Sequence, residues 1–207
     1  ERIFLGDKMK YKKALRIIAE ITIMSALAFT LDYAQGLITG GLFPNGGSIG
    51  IAMLPILFIS YRRGFVSGLI CGLLVSVLQM IPGIYVIPGA SLPAVIAQVS
   101  LDYIIAYPLI GFAGIFFKLF QKSTTTSKKV TYLITGTLVG GMLKYLTHYL
   151  AGVIFWSSSC PDGYPGGPII YSLVYNGSYM IPNIIINGAL IILMALKAPK
   201  LFKEENM

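Results

Sequence analysis

The sequence predicts an all-α integral membrane protein of six transmembrane helices, both termini cytoplasmic, with the second helix short or broken. Three observations carry that prediction. The 207 residues have a mean hydropathy of +0.77 and only 12% are charged, where a soluble domain carries about 25%. Apolar runs approaching the roughly 20 residues that a helix needs to cross a bilayer recur along the whole chain. The Lys and Arg residues, finally, are all but one confined to the two termini and to alternate connections between those runs.

In chain order, Glu1 to Lys8 has no initial Met and joins poorly to the basic run after it. Residues 1–8 therefore read as an extraneous remnant or a misassigned start, and Met9-Lys10-Tyr11-Lys12-Lys13 as the native beginning of one domain covering residues 9–207. The first span runs from about Ala14 to Leu31. It is too long for a signal-peptide core and lacks a small-residue cleavage site. Next comes Gly40-Gly41-Leu42-Phe43-Pro44-Asn45-Gly46-Gly47, a loop by composition, and residues 40–48 are the candidate segment for closing over a site. The second span, about Ile49 to Tyr61, is short and contains Pro55, which predicts a broken or partly re-entrant helix shielded by protein. The third covers about Phe65 to Ile81. Pro82-Gly83 and Pro88-Gly89 bracket the connection to the fourth, about Leu92 to Phe117. The fifth runs from Val130 to Trp156 and the sixth from about Ile169 to Leu196, separated by the Pro/Gly-rich stretch Cys160 to Pro168.

Fifteen of the sixteen Lys and Arg residues fix the orientation, and the sixteenth, Lys144, lies inside the fifth span. Arg2, Lys8, Lys10, Lys12, Lys13 and Arg16 precede or open the first span, and Arg62 and Arg63 separate the second from the third. Lys118, Lys122, Lys128 and Lys129 flank the connection between the fourth and fifth, and Lys197, Lys200 and Lys203 come after the sixth. The other three connections hold none. This is the positive-inside pattern of six crossings, so the formal charge of +8 sets topology and does not point to nucleic acid. Cys71 lies in an apolar run and reads as a reduced thiol; two distant cysteines are no disulfide framework.

Ionisable groups in the apolar layer are costly and therefore mark function. Glu20 lies near the cytoplasmic end of the first span, within reach of the interface. Asp102 falls roughly 15 Å, His148 roughly 12 Å and Asn176 roughly 10 Å below the outer surface, at 1.5 Å per residue. Three helices thus bring polar groups to similar depth. Lys144, His148, Gly152 and Trp156 recur every four residues and form one stripe, in which Gly152 leaves room beside the backbone for something flat. A packing seam with an interfacial Trp has the same spacing; the facing carboxylate favours a pocket. Tyr171 adds a polar group near the outer end of the sixth span, Tyr85 and Tyr103 add aromatic walls, and Asn183 and Asn187, deeper, suit interhelical hydrogen bonds. A buried carboxylate among aromatic rings suits a flat organic cation entering from outside.

Two segments now become specific. His148-Tyr149-Leu150-Ala151-Gly152-Val153-Ile154-Phe155-Trp156 and Tyr171-Ser172-Leu173-Val174-Tyr175-Asn176-Gly177 resemble the thiamine-specific S component (ThiT/YuaJ) family of energy-coupling-factor transporters. Met53-Leu54-Pro55 and Tyr61-Arg62-Arg63-Gly64 extend the likeness. The resemblance implies a six-helix subunit that captures thiamine from outside and works with a separate transmembrane coupling protein and two ABC-type ATPases. It implies that Trp156 stacks on the pyrimidine, with His148, Gly152, Tyr171 and Asn176 completing the pocket. Asp102-Tyr103 stands where the family has a Glu-Tyr pair, one methylene longer, and Tyr85 matches a pocket tyrosine. Thr22 and Ala26 stand where the family packs two small residues against the coupling protein.

The rival reading is an autonomous secondary carrier for a small organic cation, with Lys144 and Asp102 as a proton relay; the favoured role for Lys144 is a structural counter-charge. The absence of an internal repeat disfavours a carrier. No enzyme is expected: a single histidine and no clustered ligands oppose a metal site, and a Cys160–His148 pair lacks an oxyanion site. No Gly-x-x-x-x-Gly-Lys-Ser/Thr loop is present, so ATP hydrolysis must come from partners. Thiamine enters as cargo, and no cofactor or metal is expected. The lack of basic residues at the pocket mouth disfavours a phosphorylated ligand.

Overall fold

The computed structural model describes residues 2–203, with the side chains of residues 2–9 undescribed. The expectation about residues 1–8 therefore rests largely outside the described residues.

Helix α1 spans Arg2–Thr39, well past the expected Leu31, because no Pro follows Leu31 within it and the one Gly there, Gly36, is accommodated in the helix. A single turn at Gly40–Leu42 and an irregular stretch lead to α2, Leu54–Arg63. Helix α3 is Phe65–Gln79 and α4 is Leu92–Lys122. Helix α5 is Thr126–Ile154 and α6 is Gly167–Lys197. No strand occurs among the described residues. Lys10–Leu42, Leu92–Lys122 and Gly167–Lys197 are long and apolar enough to cross a membrane by length and composition, and Phe65–Gln79 is a shorter apolar helix. The outer faces of these helices and of α5 stay apolar: Leu37, Val66, Leu92, Ile134, Leu150 and Ile185 are all exposed. That pattern suits lipid as the solvent.

Helix α2 is the axis of the bundle. Every residue from Pro55 to Arg62 is buried. Pro55 lies in its first turn, where a missing N–H costs no hydrogen bond. The helix is therefore short and unbroken, started by the proline and not kinked by it. The stretch leading into it has no helical bonds of its own, and neighbouring side chains satisfy it. Ile49 N–H donates to Thr39 Oγ1 at 2.8 Å, Gly50 N–H to Asn183 Oδ1 at 2.7 Å and Ala52 N–H to Gln35 Oε1 at 3.2 Å. Asn183 and Asn187 donate in turn to the carbonyls of Ser48 and Gly50. Irregular backbone inside an apolar bundle is tolerable only when protein groups take over in this way. The two asparagines, expected as interhelical links, bond this backbone.

Helix α4 changes winding along its length. A wide π-type stretch at Ser100–Ile105 gives way to α-helix at Ala106–Ile110 and then to tighter 3₁₀ turns at Gly111–Phe116. The wide turns carry Asp102 and Tyr103, and such local insertions re-aim side chains toward sites. At the basic end of the bundle, Glu20 meets Arg62 and Arg63. Arg62 also donates to the carbonyl of Leu201, tying the chain's last described turn to the bundle.

Candidate functional site

At the opposite end, a cavity of about 430 Å³ opens among α3, α4, α5, α6 and the connections around residues 44–47, 85 and 156–159. That volume suits a small organic molecule. All eight residues proposed from sequence line it: Tyr85, Asp102, Tyr103, His148, Gly152, Trp156, Tyr171 and Asn176. Asp102 is the one acidic side chain on its wall, and no Lys or Arg lines it among the described residues.

Asp102 organises one side. Its Oδ2 accepts from Trp156 Nε1–H at 3.0 Å and Gln98 Nε2–H at 2.9 Å, and His148 Nδ1 lies 3.7 Å from Oδ1. The second amide hydrogen of Gln98 goes to the carbonyl of Tyr85 at 3.1 Å, and Tyr85 N–H donates to Tyr103 Oη at 3.0 Å. The backbone at Tyr85 is thus tied to α4. Its ring stacks on Trp156, with centroids 5.3 Å apart and 16° between planes. Trp156 lies two residues beyond α5, not on its last turn as the spacing implied. Freed from helical geometry, its indole turns toward Asp102.

Helix α6 supplies the other side. Tyr171, Tyr175 and Tyr179 are four residues apart and share one face; neighbouring rings lie 5.6 Å and 6.3 Å apart. Asn176 is 8% exposed. Its Oδ1 accepts from Tyr179 Oη–H at 2.6 Å, and its Nδ2–H bonds to the carbonyl and hydroxyl of Ser172. Here Asn176 props Tyr179, whose ring meets His148 edge-on at 6.3 Å.

Gly152 differs from its expected use. The space that a Cβ would fill there is taken by Ser172 Oγ, with Asn176 Nδ2 also close. The glycine therefore lets α5 and α6 approach, and the room expected for a flat ligand is occupied by α6. Lys144 is not paired with Asp102, as a proton relay would require. It is 7% exposed, and its Nζ lies 3.8 Å over the Tyr107 ring.

The segment 40–48 lies where a cover would. Asn45 N–H donates to Tyr175 Oη at 2.8 Å, Asn45 Nδ2–H to Tyr171 Oη at 2.9 Å, and Tyr175 Oη–H to the carbonyl of Gly46 at 2.9 Å. Gly47 has φ +110°, and a Cβ there would strike the Tyr179 ring. The backbone lies directly on the aromatic face.

Sequence reasoning missed Gln98, Tyr107, Tyr175, Tyr179 and Gln79, all of which line the cavity. The spacing of Gln98 four residues before Asp102, and of the tyrosines four apart after Tyr171, held the signal. For Gln79 and Tyr107 the sequence offers none. Of the two partner-facing candidates, Thr22 and Ala26 are both exposed on α1. The Thr22 hydroxyl folds back on the carbonyl of Ile18 at 2.9 Å, so its own helix takes up its polar group.

Fold and cavity together define a multi-pass membrane protein with a chamber of small-molecule size at one end. Comparisons specify it further. The profile of the Thiamine transporter protein (Thia_YuaJ) family matches residues 18–203. Thiamine transporter ThiT of Bacillus subtilis (strain 168) is 36% identical over 201 residues, covering 96% of this chain and all of that protein. Thiamine transporter ThiT of Lacticaseibacillus paracasei is 31% identical over 205 residues, with 96% of each covered. The solved structure of ThiT from Listeria monocytogenes is similar with a TM-score of 0.76 at 28% identity, over 92% of this chain and 98% of that one. The chain belongs to the thiamine transporter family, a family of transporters and not of enzymes, and is a multi-pass protein of the cell membrane.

Proposed function

We propose that this chain is the thiamine-binding membrane subunit of an energy-coupling-factor importer, crossing the membrane six times with both ends cytoplasmic. Residues 9–207 act as one substrate-binding domain. It takes thiamine from outside and delivers it with a separate transmembrane coupling protein and two ABC-type ATPases. The observation that carries the reading is the cavity wall: among the described residues, aromatic rings surround a single carboxylate, with no Lys or Arg. Thiamine is a flat pyrimidine joined to a cationic thiazolium, and such a wall offers stacking, ion pairing and cation–π attraction. Trp156, backed by the parallel Tyr85 ring, stacks on the pyrimidine. Asp102 balances the thiazolium, with Tyr103, His148, Tyr171 and Asn176 around it and Gly152 setting the spacing of the helices behind. Thr22 and Ala26, exposed on α1, meet the coupling protein by close helix approach.

Reconstitution tests the partnership. Sealed vesicles holding the chain with the coupling protein, both ATPases and ATP should accumulate thiamine, and vesicles holding the chain alone should not. Uptake by the chain alone would replace this reading with the autonomous carrier.

A further inference from the structure

Behind the cavity floor lies a second carboxylate, just beyond the first apolar run of the sequence. Asp32, on α1, accepts from Tyr107 Oη–H at 2.7 Å, from Gln35 Nε2–H at 3.2 Å and from Gln79 Nε2–H. Three donors on one side chain are what an acceptor-only ionised carboxylate requires. Gln79 and Tyr107 both line the cavity, and Gln79 also donates to Tyr107 Oη at 3.2 Å. Over the ring of the same Tyr107 sits Lys144 Nζ, 3.8 Å from the centroid. Asp32, at its hydroxyl, and Lys144, over its ring, thus share one tyrosine. Lys144 is one turn from His148 on α5 and would act on anything bound beside Asp102.

At their formal charges at pH 7, Asp102 and Asp32 contribute two negatives and Lys144 one positive, with His148 neutral. One negative charge remains. Without Asp32, Lys144 would cancel Asp102, and the chamber would favour a neutral guest. We propose that Asp32 is a specificity-determining residue: by offsetting Lys144 from behind Tyr107, it leaves Asp102 uncancelled and matches the cavity to an organic monocation. The inference rests on the thiamine reading and deepens it, because thiamine carries one positive charge at neutral pH.

The test uses the purified full chain in detergent, with binding of thiamine and of its neutral thiophene analogue measured by calorimetry. Asp32→Asn keeps shape and removes the charge. It should weaken thiamine about tenfold, the scale of one unit charge acting across a partly screened distance, and leave the neutral analogue within about twofold. Asp32→Asn combined with Lys144→Met should return thiamine affinity toward the wild-type value. Equal losses for both ligands, no loss at all, or no recovery in the double variant would each overturn the proposal. Should Asp32→Asn not fold, Lys144→Met alone decides: thiamine affinity equal to or above wild type supports the charge balance, and a fall relative to the neutral analogue contradicts it. Failure of the wild type to bind thiamine would instead remove the ligand reading, a result separable from all of these.

Discussion

Glu20 and Asp102 are both carboxylates on helices of an apolar bundle, and their surroundings differ in kind. Glu20 is gripped by two guanidinium groups: Arg62 Nε and Nη2 lie 3.0 Å and 2.9 Å from its oxygens, and Arg63 Nε and Nη2 both lie at 2.7 Å. Arg16 adds a longer contact at 3.5 Å. These bidentate pairs leave the carboxylate saturated by permanent cations. Asp102 is held by an indole N–H and an amide N–H, both neutral, with an imidazole 3.7 Å away. Its geometry is fixed and its charge is not cancelled. The first arrangement joins α1 to α2 and is complete by itself; the second retains a reason to attract a cation.

The contrast can be broken at four places. The largest effect is expected at Asp102→Asn, which keeps the side chain's size and removes the charge. Thiamine affinity should fall about a hundredfold by calorimetry, the size of a lost charge-assisted contact in a dry pocket, with the thermal transition almost unmoved. At Gly152→Ala the added methyl meets Ser172. Overpacking at that crossing should cost about 2 kcal/mol of stability, seen as a lower unfolding temperature in detergent. At the other carboxylate, Glu20→Gln should cost about 1–2 kcal/mol, a buried-pair loss discounted for the 19% exposure of its side chain. Thiamine affinity of that variant should be unchanged; a large loss would mean the two ends are not separate. The smallest effect is expected at Trp156→Phe, which keeps a stacking face and removes the N–H to Asp102. Affinity should fall about threefold to tenfold, the worth of one hydrogen bond.

Much of this contrast is legible in the sequence. The alternation of basic connections and the depths of Asp102, His148 and Asn176 locate the helices and one cluster, because the bilayer imposes a length on every span. Arg62 and Arg63 read as topology markers, but that they close on Glu20 depends on how α1 crosses α2, which no periodicity encodes. Asp32 escapes a hydropathy reading because the first apolar run ends at Leu31, whereas the helix continues to Thr39. The turn of Trp156 off the end of α5, and the wide turns that aim Asp102, are departures from 3.6-residue geometry. Spacing arguments assume that geometry and cannot register such departures. Gly152 lines the cavity, but the space beside it is taken by Ser172: a glycine facing another helix and a glycine facing a ligand have the same sequence signature.

For thiamine bound in the cavity against Trp156, the protein carries its own probe. Trp156 is the single tryptophan in the chain, so intrinsic fluorescence of ligand-stripped protein in detergent has one source. Titration with thiamine should give saturable quenching that is strongly right-shifted in a folded Asp102→Asn variant. No quenching in the wild type, with calorimetry also silent, would contradict the assignment of this cavity to thiamine.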